Sequence, residues 1–302
     1  MNCIDLFAGA GGFSTGAVIA GCKVVFAANH WRAAVETHSR NHPHTEHLLQ
    51  DLCQADFTQF PEHDVLLASP ACQGHSKARG KERPHHDACR STAWAVISCA
   101  EVHRPPFVVV ENVPEFMNWK LYPTWRLALE ALGYCISENV LNSADFGVPQ
   151  NRRRMFIIAS RSRSCFKLDV PGLFRVPARE VIRWDSGVWS EIETQRRSIR
   201  TLERVGAARS QFGHRFLVAY YGNEHGGRSL DVPLGTVTTR DRFAVIDGDR
   251  MRMLSIAEYR VAMGFPADYW LPSDHKIALH LLGNAVCPPV AAEILSQLKS
   301  AA

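Results

Sequence analysis

Short apolar runs alternate with amphipathic stretches along the first half of the chain. Seven runs have the composition of buried strands, at residues 3–7, 23–28, 47–51, 65–68, 107–111, 135–141 and 155–160. Between them a helical period appears at residues 13–20, 31–40, 92–103 and 124–132, the last followed by Gly133 at the position of a C-cap. Strands that alternate with helices predict βα units, so we expect a doubly wound α/β domain with a mostly parallel sheet.

The pattern changes after residue 160. The segments become short, rich in arginine and interrupted by glycine, with strand-like pieces at residues 215–221 and 242–246. Helical patterning returns at residues 255–263 and 289–299. We therefore expect a small, irregular second domain at residues 161–274. The C-terminal segment, 275–302, is expected to pack back on a first domain formed by residues 1–160.

Length and composition narrow the class of protein. The 302 residues are 46% hydrophobic, which is enough for one large core, or one large and one small, so we expect a monomer. No apolar run approaches the roughly 18 residues of a membrane span, and the N-terminus enters a strand at once instead of a signal peptide. The prediction is a cytoplasmic protein of prokaryotic or phage origin, with no membrane partner.

Cysteine and histidine spacing gives no sign of a metal centre. The nine cysteines include no Cys-x-x-Cys pair, which argues against a disulfide framework and against a zinc site. His42, His44 and His47, like the pair His85-His86, lack the spacing and the cysteine partners of a closed zinc site. We expect no metal.

The net charge of +4 permits a nucleic-acid partner without requiring one. Its distribution is more informative, because arginines are concentrated between Arg152 and Arg215. The planar guanidinium suits phosphates and the edge of guanine. A solvated charged face is the alternative explanation for this concentration.

A cysteine follows the fourth predicted strand in the run Ser69-Pro70-Ala71-Cys72-Gln73-Gly74-His75-Ser76. Proline cannot donate to a strand ladder, so the strand must end there and the next side chains project from the sheet edge. Open α/β sheets place their chemistry at this edge. Cys72 is therefore a candidate nucleophile, and a buried, inert cysteine is the alternative.

The ends of the first three predicted strands suit an adenosine. The first leads into the glycine loop Gly9-Ala10-Gly11-Gly12, the second into Asn29-His30-Trp31 and the third into Asp51-Leu52. An aromatic face for the ring and a carboxylate for the exocyclic amine are the groups that such a ligand needs. A purely structural glycine turn is the alternative. A nicotinamide oxidoreductase would rest on this loop alone and would leave Cys72 unexplained.

Charged side chains follow the fifth and precede the seventh strand. Glu111-Asn112 ends a run of apolar residues, and burial would raise the pKa of Glu111 so that it holds a proton near neutrality. A structural ion-paired glutamate is the alternative. In the run Gln150-Asn151-Arg152-Arg153-Arg154 the alternate arginines, Arg152 and Arg154, would face the same way on an extended segment.

Six motifs in this order resemble the DNA cytosine-5 methyltransferases that use S-adenosylmethionine, over nearly the whole chain. They are the glycine loop at residues 5–16, the Cys72 loop, Glu111-Asn112-Val113, Gln150-x-Arg152-x-Arg154, Thr236-Val237-Thr238, and Gly283-Asn284-Ala285-Val286 followed by Pro288-Pro289. The resemblance implies a Rossmann-like methyltransferase sheet with a smaller target-recognition domain. It also implies methyl transfer to C5 of a flipped-out cytosine in a specific double-stranded DNA sequence, through a covalent adduct between a cysteine and C6.

The resemblance assigns roles residue by residue. Cys72 is the nucleophile, Glu111 the proton donor to N3, Asn112 an orienting residue, and Arg152 and Arg154 hold the target nucleotide. The residues implied at the S-adenosylmethionine site are Phe7, Gly9, Gly11, Gly12, His30, Trp31, Asp51, Leu52, Asn284 and Val286. The residues implied to bind the substrate are Gln73, Ser76, Gln150 and Thr238.

Two positions depart from the family pattern. His30 stands where the family usually has a glutamate for the ribose hydroxyls, and Ala71 replaces the proline that commonly precedes the cysteine.

The residues that recognise the DNA sequence are expected between residues 161 and 231. The sequence does not say whether a separate restriction endonuclease accompanies the chain. Methylation of a transfer RNA and a catalytically inert DNA-binding relative are the alternatives.

Overall fold

The computed structural model describes residues 1–71, 91–162, 164–195, 197–221 and 226–301. Cys72, Gln73 and Ser76 lie outside these described residues, as do His85 and His86. Two sheets organise the described part of the chain. The strands of the larger sheet are β1 (Asn2–Leu6), β2 (Lys23–Asn29), β3 (Glu46–Leu49), β4 (Val65–Ala68), β5 (Phe107–Asn112), β6 (Cys135–Asn142) and β7 (Arg153–Ser160).

The larger sheet has the order β3-β2-β1-β4-β5-β7-β6. Strands β1 to β5 pair in parallel, and β7 runs antiparallel to both β5 and β6. The expectation of a doubly wound, mostly parallel sheet is confirmed. The strand order reverses between β1 and β4, and the carboxyl ends of neighbouring strands diverge there, which opens a crevice for a ligand.

Helices cover both faces of this sheet. In the first half they are α1 (Gly12–Ile19), α2 (Arg32–Asn41), α3 (Trp94–His103) and α4 (Tyr122–Ala131). Successive strand residues alternate between two cores: Val65 and Leu67 pack on one face, Leu66 and Ala68 on the other. Because both faces are buried, the strands read as continuous apolar runs in the sequence.

The smaller sheet is antiparallel and has the order β10-β9-β11-β12-β8. Its strands are β8 (Ser190–Glu191), β9 (Arg215–Ala219), β10 (Gly227–Arg228), β11 (Phe243–Asp247) and β12 (Arg250–Met253). The predicted strand-like pieces correspond to β9 and β11. Helix α5 (Ile199–Phe212) packs on this sheet through Val205 and Ala208 and was not predicted. The boundaries 161 and 274 remain a prediction, although all five strands fall between them.

Three helices follow: α6 (Ile256–Ala262), α7 (His275–Asn284) and α8 (Pro288–Ala301). Helices α7 and α8 return to the larger sheet, where Leu282 and Val290 join the core that contains Phe13. The run His275–Ala301 has the length and mean hydropathy of a membrane span, but 72% of its most apolar window is buried inside the fold. The protein core accounts for its apolar character.

A buried ion pair connects the smaller sheet to α6. Arg252 on β12 forms hydrogen bonds with both carboxylate oxygens of Glu258, at 2.7 and 2.8 Å. Glu258 also accepts from the backbone N–H groups of Arg183 and Ser255, so its carboxylate is fully hydrogen-bonded. Burial alone would raise the pKa of Glu258, but these donors lower it below its ordinary value, so the carboxylate stays ionised.

A disulfide joins Cys135, the first residue of β6, to Cys165 in the segment after β7. The cysteine spacing argued against a disulfide framework, and for these two cysteines that expectation is wrong. The physical reason is the antiparallel pairing of β6 with β7, which places Cys135 opposite Ser160. The chain then needs few residues to bring Cys165 alongside Cys135.

The contact between α1 and α8 leaves no room for a side chain at Gly16. A Cβ atom there would lie 2.5 Å from the Cβ of Ala291 and 2.7 Å from the carbonyl oxygen of Pro288. We expect Gly16→Ala to force the two helices apart and to lower the free energy of unfolding by about 1–3 kcal/mol, measured by urea denaturation. Gly206 is the matched control, because it is also helical but has open space around it. Gly206→Ala should stabilise the protein by about 0.5–1 kcal/mol, and equal losses for both variants would contradict the packing argument.

Candidate functional site

A cavity of about 410 Å³ lies at the carboxyl ends of β1, β2, β4 and β5. The segment between α7 and α8 closes it from the other side. The residues at the strand ends are Phe7, Gly9, Asn29, His30, Trp31, Ser69, Pro70, Ala71, Glu111 and Val113. The remaining wall includes Asp5, Gly12, Arg152, Arg154, His280, Gly283, Asn284 and Val286. This is the crevice that the strand order predicts, and its volume is in the range of about 300–1,000 Å³ that small-molecule sites occupy.

The glycine loop is shaped by two close approaches. Gly11 has a positive φ of 82°, and a Cβ atom there would lie 2.6 Å from the hydroxyl of Tyr269. At Gly12 a Cβ atom would lie 2.0 Å from the carbonyl oxygen of Val286. The loop therefore needs glycine at both positions: Gly11 for its positive φ and the closeness of Tyr269, and Gly12 to pass beneath the segment between α7 and α8. Gly11 shapes the loop but is not on the cavity wall.

An aromatic face stands at the end of β2. The side-chain oxygen of Asn29 accepts a hydrogen bond from the backbone N–H of Trp31 at 2.8 Å, which fixes the start of α2. The indole of Trp31 meets the imidazole of His280 edge to face, with ring centroids 5.2 Å apart. Burial lowers the pKa of His280, so its ring is neutral near pH 7. Sequence reasoning missed His280, because α7 was not predicted.

Besides Gly11, two other residues implied at the cofactor site, Asp51 and Leu52, are not on the cavity wall. The carboxylate of Asp51 accepts from the backbone N–H of Cys53 at 3.0 Å and so caps a short 3-10 helix, Leu52–Gln54. Leu52 is buried in the core that contains Leu66 and Ala68. The position of the Leu52 side chain does not support a direct contact with a ligand in the cavity.

Glu111 and Arg154 form an ion pair at the other end of the cavity. Nε of Arg154 lies 3.1 Å from Oε1 of Glu111, and Glu111 is 6% exposed. Oε1 has no hydrogen-bond partner among the described residues, so the contact is electrostatic and leaves this oxygen able to bind or hold a proton. Burial raises the pKa of Glu111, and the charges of Arg154 and Arg152 offset part of that effect.

Asn112 anchors the segment that leads to Cys72. Its amide nitrogen donates to the carbonyl oxygen of Pro70 at 3.2 Å, and its oxygen accepts from the backbone N–H of Val113. The backbone N–H of Ala71 donates to the hydroxyl of Thr92 at 3.2 Å. The last described residue before Cys72 is thus held at the cavity wall without the proline that commonly stiffens this loop.

Arg152 is 1% exposed and is bonded to the backbone of two distant segments. Its Nη1 donates to the carbonyl oxygen of Val237 at 3.0 Å. Its Nη2 donates to the carbonyl oxygens of Gly283 and Ala285 at 3.0 and 2.9 Å. These carbonyls flank Asn284, so Arg152 fixes one wall of the cavity. Arg153 points the other way and is exposed, which confirms the predicted alternation of Arg152 and Arg154.

Gln150 is fully buried, so the structure does not support its assignment as a substrate-binding residue. Its side-chain oxygen accepts from the backbone N–H of Val237 at 2.7 Å, and its nitrogen donates to the carbonyl oxygen of Ala262 at 3.1 Å. Both polar atoms of the Gln150 side chain are therefore hydrogen-bonded to other segments of the protein. Thr238 lies near the cavity instead, because its backbone packs so closely on Gly283 that a Cβ atom at Gly283 would lie 2.4 Å from the carbonyl carbon of Thr238.

Comparison with known proteins agrees with this arrangement. Residues 1–183 and 178–300 match the family model of the C-5 cytosine-specific DNA methylases. The type II methyltransferase M.MspI of Moraxella sp is 26% identical over 308 residues, covering 99% of this chain and 70% of that protein. The type II methylase M.HgiEI of Herpetosiphon aurantiacus is 35% identical over 227 residues, covering 72% of this chain and 48% of that protein.

The fold is shared with solved structures. A protein described as a DNA modification methyltransferase encoded within an Escherichia coli prophage superposes with a TM-score of 0.74 and 20% identity, covering 99% of both chains. The family match spans both sheets and includes every strand end that lines the cavity. With its catalytic edge, glycine loop and C-terminal wall all inside that match, the chain belongs to the C-5 cytosine-specific DNA methyltransferase family.

Proposed function

We propose that this protein transfers a methyl group from S-adenosylmethionine to C5 of a flipped-out cytosine in a specific double-stranded DNA sequence, with Cys72 as a covalent nucleophile. The observation that carries the proposal is the buried pair of Glu111 and Arg154, which stands at one end of a cavity whose other end offers Trp31. An acid with a raised pKa and an aromatic face are thus held within one crevice.

The cavity fits S-adenosylmethionine in size and in the character of its wall. Trp31 and His280 offer aromatic surfaces for the adenine, and the loop of Phe7, Gly9 and Gly12 borders the space for the ribose and methionine. Asn284 and Val286 close the cavity from above the loop. When bound, S-adenosylmethionine supplies the methyl group that C5 takes up.

Methyl transfer to C5 of cytosine requires a nucleophile, and Cys72 is the proposed one. C5 of cytosine is a poor nucleophile until a thiolate adds to C6 and makes the ring enamine-like. Once C5 carries the methyl group, loss of the C5 proton and expulsion of Cys72 restore the aromatic ring. Asn112 and Thr92 hold Pro70 and Ala71, so the chain enters the Cys72 loop beside Glu111.

Glu111 is the proposed proton donor to N3 of the cytosine. Protonation of N3 lowers the cost of thiolate addition to C6. Because burial raises the pKa of Glu111, the carboxyl keeps its proton to higher pH than an exposed glutamate, and it loses that proton as the pH rises through the raised pKa. Arg154 limits the rise and orients the carboxyl toward the base.

The target cytosine must leave the double helix, because C6 and N3 cannot reach a cavity at a sheet edge from within a stacked duplex. The surface for the rest of the DNA is proposed to be the target-recognition domain at residues 161–274. Exposed arginines there lie over aromatic rings, such as Arg215 over Trp184 at 4.4 Å and Arg250 over Trp189 at 5.6 Å. Cation–π contacts of this kind orient guanidinium groups near a binding surface.

Expression in a host without DNA methylation tests the activity and its sequence specificity together. We expect methylation sequencing to find 5-methylcytosine in one short DNA sequence, and Cys72→Ser to abolish it because a hydroxyl is a far weaker nucleophile than a thiolate. DNA with 5-fluorocytosine should trap the unaltered protein covalently but not Cys72→Ser. Covalent trapping that persists in Cys72→Ser would refute the nucleophile assignment, and methylation of transfer RNA alone would refute the DNA substrate.

Replacement of Glu111 tests the proton donor. Glu111→Gln keeps the shape but cannot release a proton to N3, so single-turnover methyl transfer should fall roughly 10²- to 10⁴-fold while S-adenosylmethionine affinity is retained. The rate with unaltered protein should decline at high pH as Glu111 loses its proton, and the residual rate of the variant should show no such decline. Glu101→Gln, at an exposed position on α3, is the control. A variant rate close to that of the unaltered protein would contradict this role.

Arg152 is proposed to position the cavity wall. The donors of lysine all lie on one nitrogen and cannot take the places of two separate Nη atoms, so Arg152→Lys should lower the free energy of unfolding by about 2 kcal/mol or more and weaken S-adenosylmethionine binding. Arg153→Lys changes the exposed neighbour in the same way and should alter stability by less than about 0.5 kcal/mol. Urea denaturation and titration calorimetry distinguish the two variants, and equal effects would show that the buried contacts are not the cause.

A further inference from the structure

Three histidines that the proposed mechanism does not use lie beside the glycine loop. Nδ1 of His38 is 2.8 Å from Nε2 of His47, and the rings of His38 and His42 are 4.6 Å apart. In the described parts of the chain no group of three or more His, Cys, Asp or Glu side chains is arranged to hold a metal ion. Burial lowers the pKa of His38 well below its ordinary range and that of His47 more modestly. Both imidazoles are therefore neutral near pH 7.

Hydrogen bonds connect His38 to a carboxylate on the cavity wall. Nε2 of His38 lies 2.8 Å from the hydroxyl oxygen of Ser14, and that hydroxyl donates to Oδ2 of Asp5 at 2.7 Å. An ionised carboxylate only accepts, so the direction of the whole chain follows from Asp5. Nε2–H of His47 then donates to His38, and Nε2–H of His38 donates to Ser14.

The two ends of this chain lie in different surroundings. His47 is half-buried and reaches the surface. Asp5 is 1% exposed and lines the cavity, and its Oδ1 has no partner among the described residues. A buried carboxylate oxygen without a donor is costly unless a ligand supplies one. Burial raises the pKa of Asp5 to about 7, although the hydrogen bonds from Ser14 oppose the rise.

We propose that Asp5 is the counter-charge for a cationic cofactor, and that Ser14, His38 and His47 are positioning residues that relay the proton of Asp5 to the surface. This inference rests on the proposed use of S-adenosylmethionine, which carries a sulfonium and an ammonium group. Asp5 and Glu111 are the carboxylates on the described cavity wall, and Arg154 already pairs with Glu111. Asp5 is thus the wall carboxylate that a cation can pair with.

The relay balances proton by proton. In the neutral state Asp5 donates to Ser14, Ser14 to Nε2 of His38, and Nδ1–H of His38 to Nε2 of His47. When a cation enters, Asp5 passes its proton to Ser14, Ser14 passes its own to His38, and His38 passes its Nδ1 proton to His47. His47 releases its Nδ1 proton to water. The product is the ionised chain, with every donor reversed and one proton lost.

Other titratable groups around Asp5 do not substitute for the relay. His42 faces α1 through the hydroxyl of Thr15 at 3.2 Å, and burial lowers its pKa to about 4, so it is neutral.

Tyr269 donates to the carbonyl oxygen of Ala10, and Cys3 lies on the same strand as Asp5. Burial raises the pKa of Tyr269, and a hydrogen bond with Cys22, followed by burial, raises that of Cys3. Neither supplies a positive charge. On the cavity side the wall carries Glu111, Arg152, Arg154, His30 and His280.

Calorimetric titration between pH 6 and 8.5 tests the proposal on the full chain. Affinity for S-adenosylmethionine should rise as the pH increases toward 7, by up to about tenfold per pH unit, and then level off. Buffers with different ionisation enthalpies should report about one proton released per ligand at pH 6. The neutral ligand 5′-methylthioadenosine keeps the adenosine but lacks both charges, so its affinity should not depend on pH.

Substitutions separate the relay from a merely structural role. Asp5→Asn should abolish the pH dependence and weaken S-adenosylmethionine more than 5′-methylthioadenosine. His38→Phe removes the donor to Ser14, so ionised Asp5 loses support and the affinity curve should shift to higher pH, with recovery near pH 8.5. His38→Gln can still donate to Ser14 and should shift the curve less. His44→Gln, at an exposed position outside the chain of hydrogen bonds, is the control.

The outcomes are distinguishable. If S-adenosylmethionine binds with the same affinity from pH 6 to 8.5, or if His38→Phe weakens both ligands equally at every pH, the relay is refuted while the proposed function stands. If S-adenosylmethionine does not bind at any pH, the proposed function itself is refuted. Thermal unfolding checks each variant, and His47→Phe, at the half-buried end, repeats the test if His38→Phe does not fold.

Discussion

The cavity depends on the buried guanidinium of Arg152. A charged group taken out of water needs hydrogen-bond partners, and both Nη atoms of Arg152 donate to backbone carbonyl oxygens, those of Val237, Gly283 and Ala285. Those carbonyls belong to segments more than eighty residues away along the chain, so the bonds that satisfy one arginine also fix where the segments meet. Gln150, two residues earlier, is likewise bonded to the backbone of a distant segment, at Val237. Arg154, two residues later, pairs with Glu111 instead.

Two buried acids on the same wall differ in their surroundings, and the difference separates their proposed roles. Glu111 has arginines as neighbours, which offset part of the effect of burial on its pKa. At Asp5 the effect of burial is opposed only by hydrogen bonds from Ser14, which is a neutral donor, and the pKa rises to about 7. Glu111 is already paired with the cation Arg154, which suits its proposed role as proton donor to the cytosine ring. Asp5 has no such partner on the described wall, which suits its proposed role as counter-charge for a cationic ligand.

Much of this architecture could be predicted because it depends on local sequence patterns. The seven strands of the larger sheet, the glycine loop and the alternation of Arg152 and Arg154 all follow from period and composition over a few residues. The features that could not be predicted arise from contacts between distant segments. His280 meets Trp31 only because α7 returns to the sheet, and Gln150 is buried only because Val237 and Ala262 cover it. Leu52 belongs to the core rather than the cavity because it packs with residues such as Phe26 and Leu66 on other strands.

The histidine at position 30 changes the charge of the cavity. With a glutamate there, as the family usually has, a negative charge would lie at the end of β2, on the adenosine side. In this chain that side offers the imidazoles of His30 and His280, and the described wall keeps its carboxylates at Asp5 and Glu111. Because Glu111 is paired with Arg154, electrostatic attraction for a cationic ligand is concentrated beneath the glycine loop. In the proposed relay, the loss of a carboxylate at one strand end makes cofactor binding depend on the protonation state of Asp5, and with it on the hydrogen bonds of Ser14 and His38.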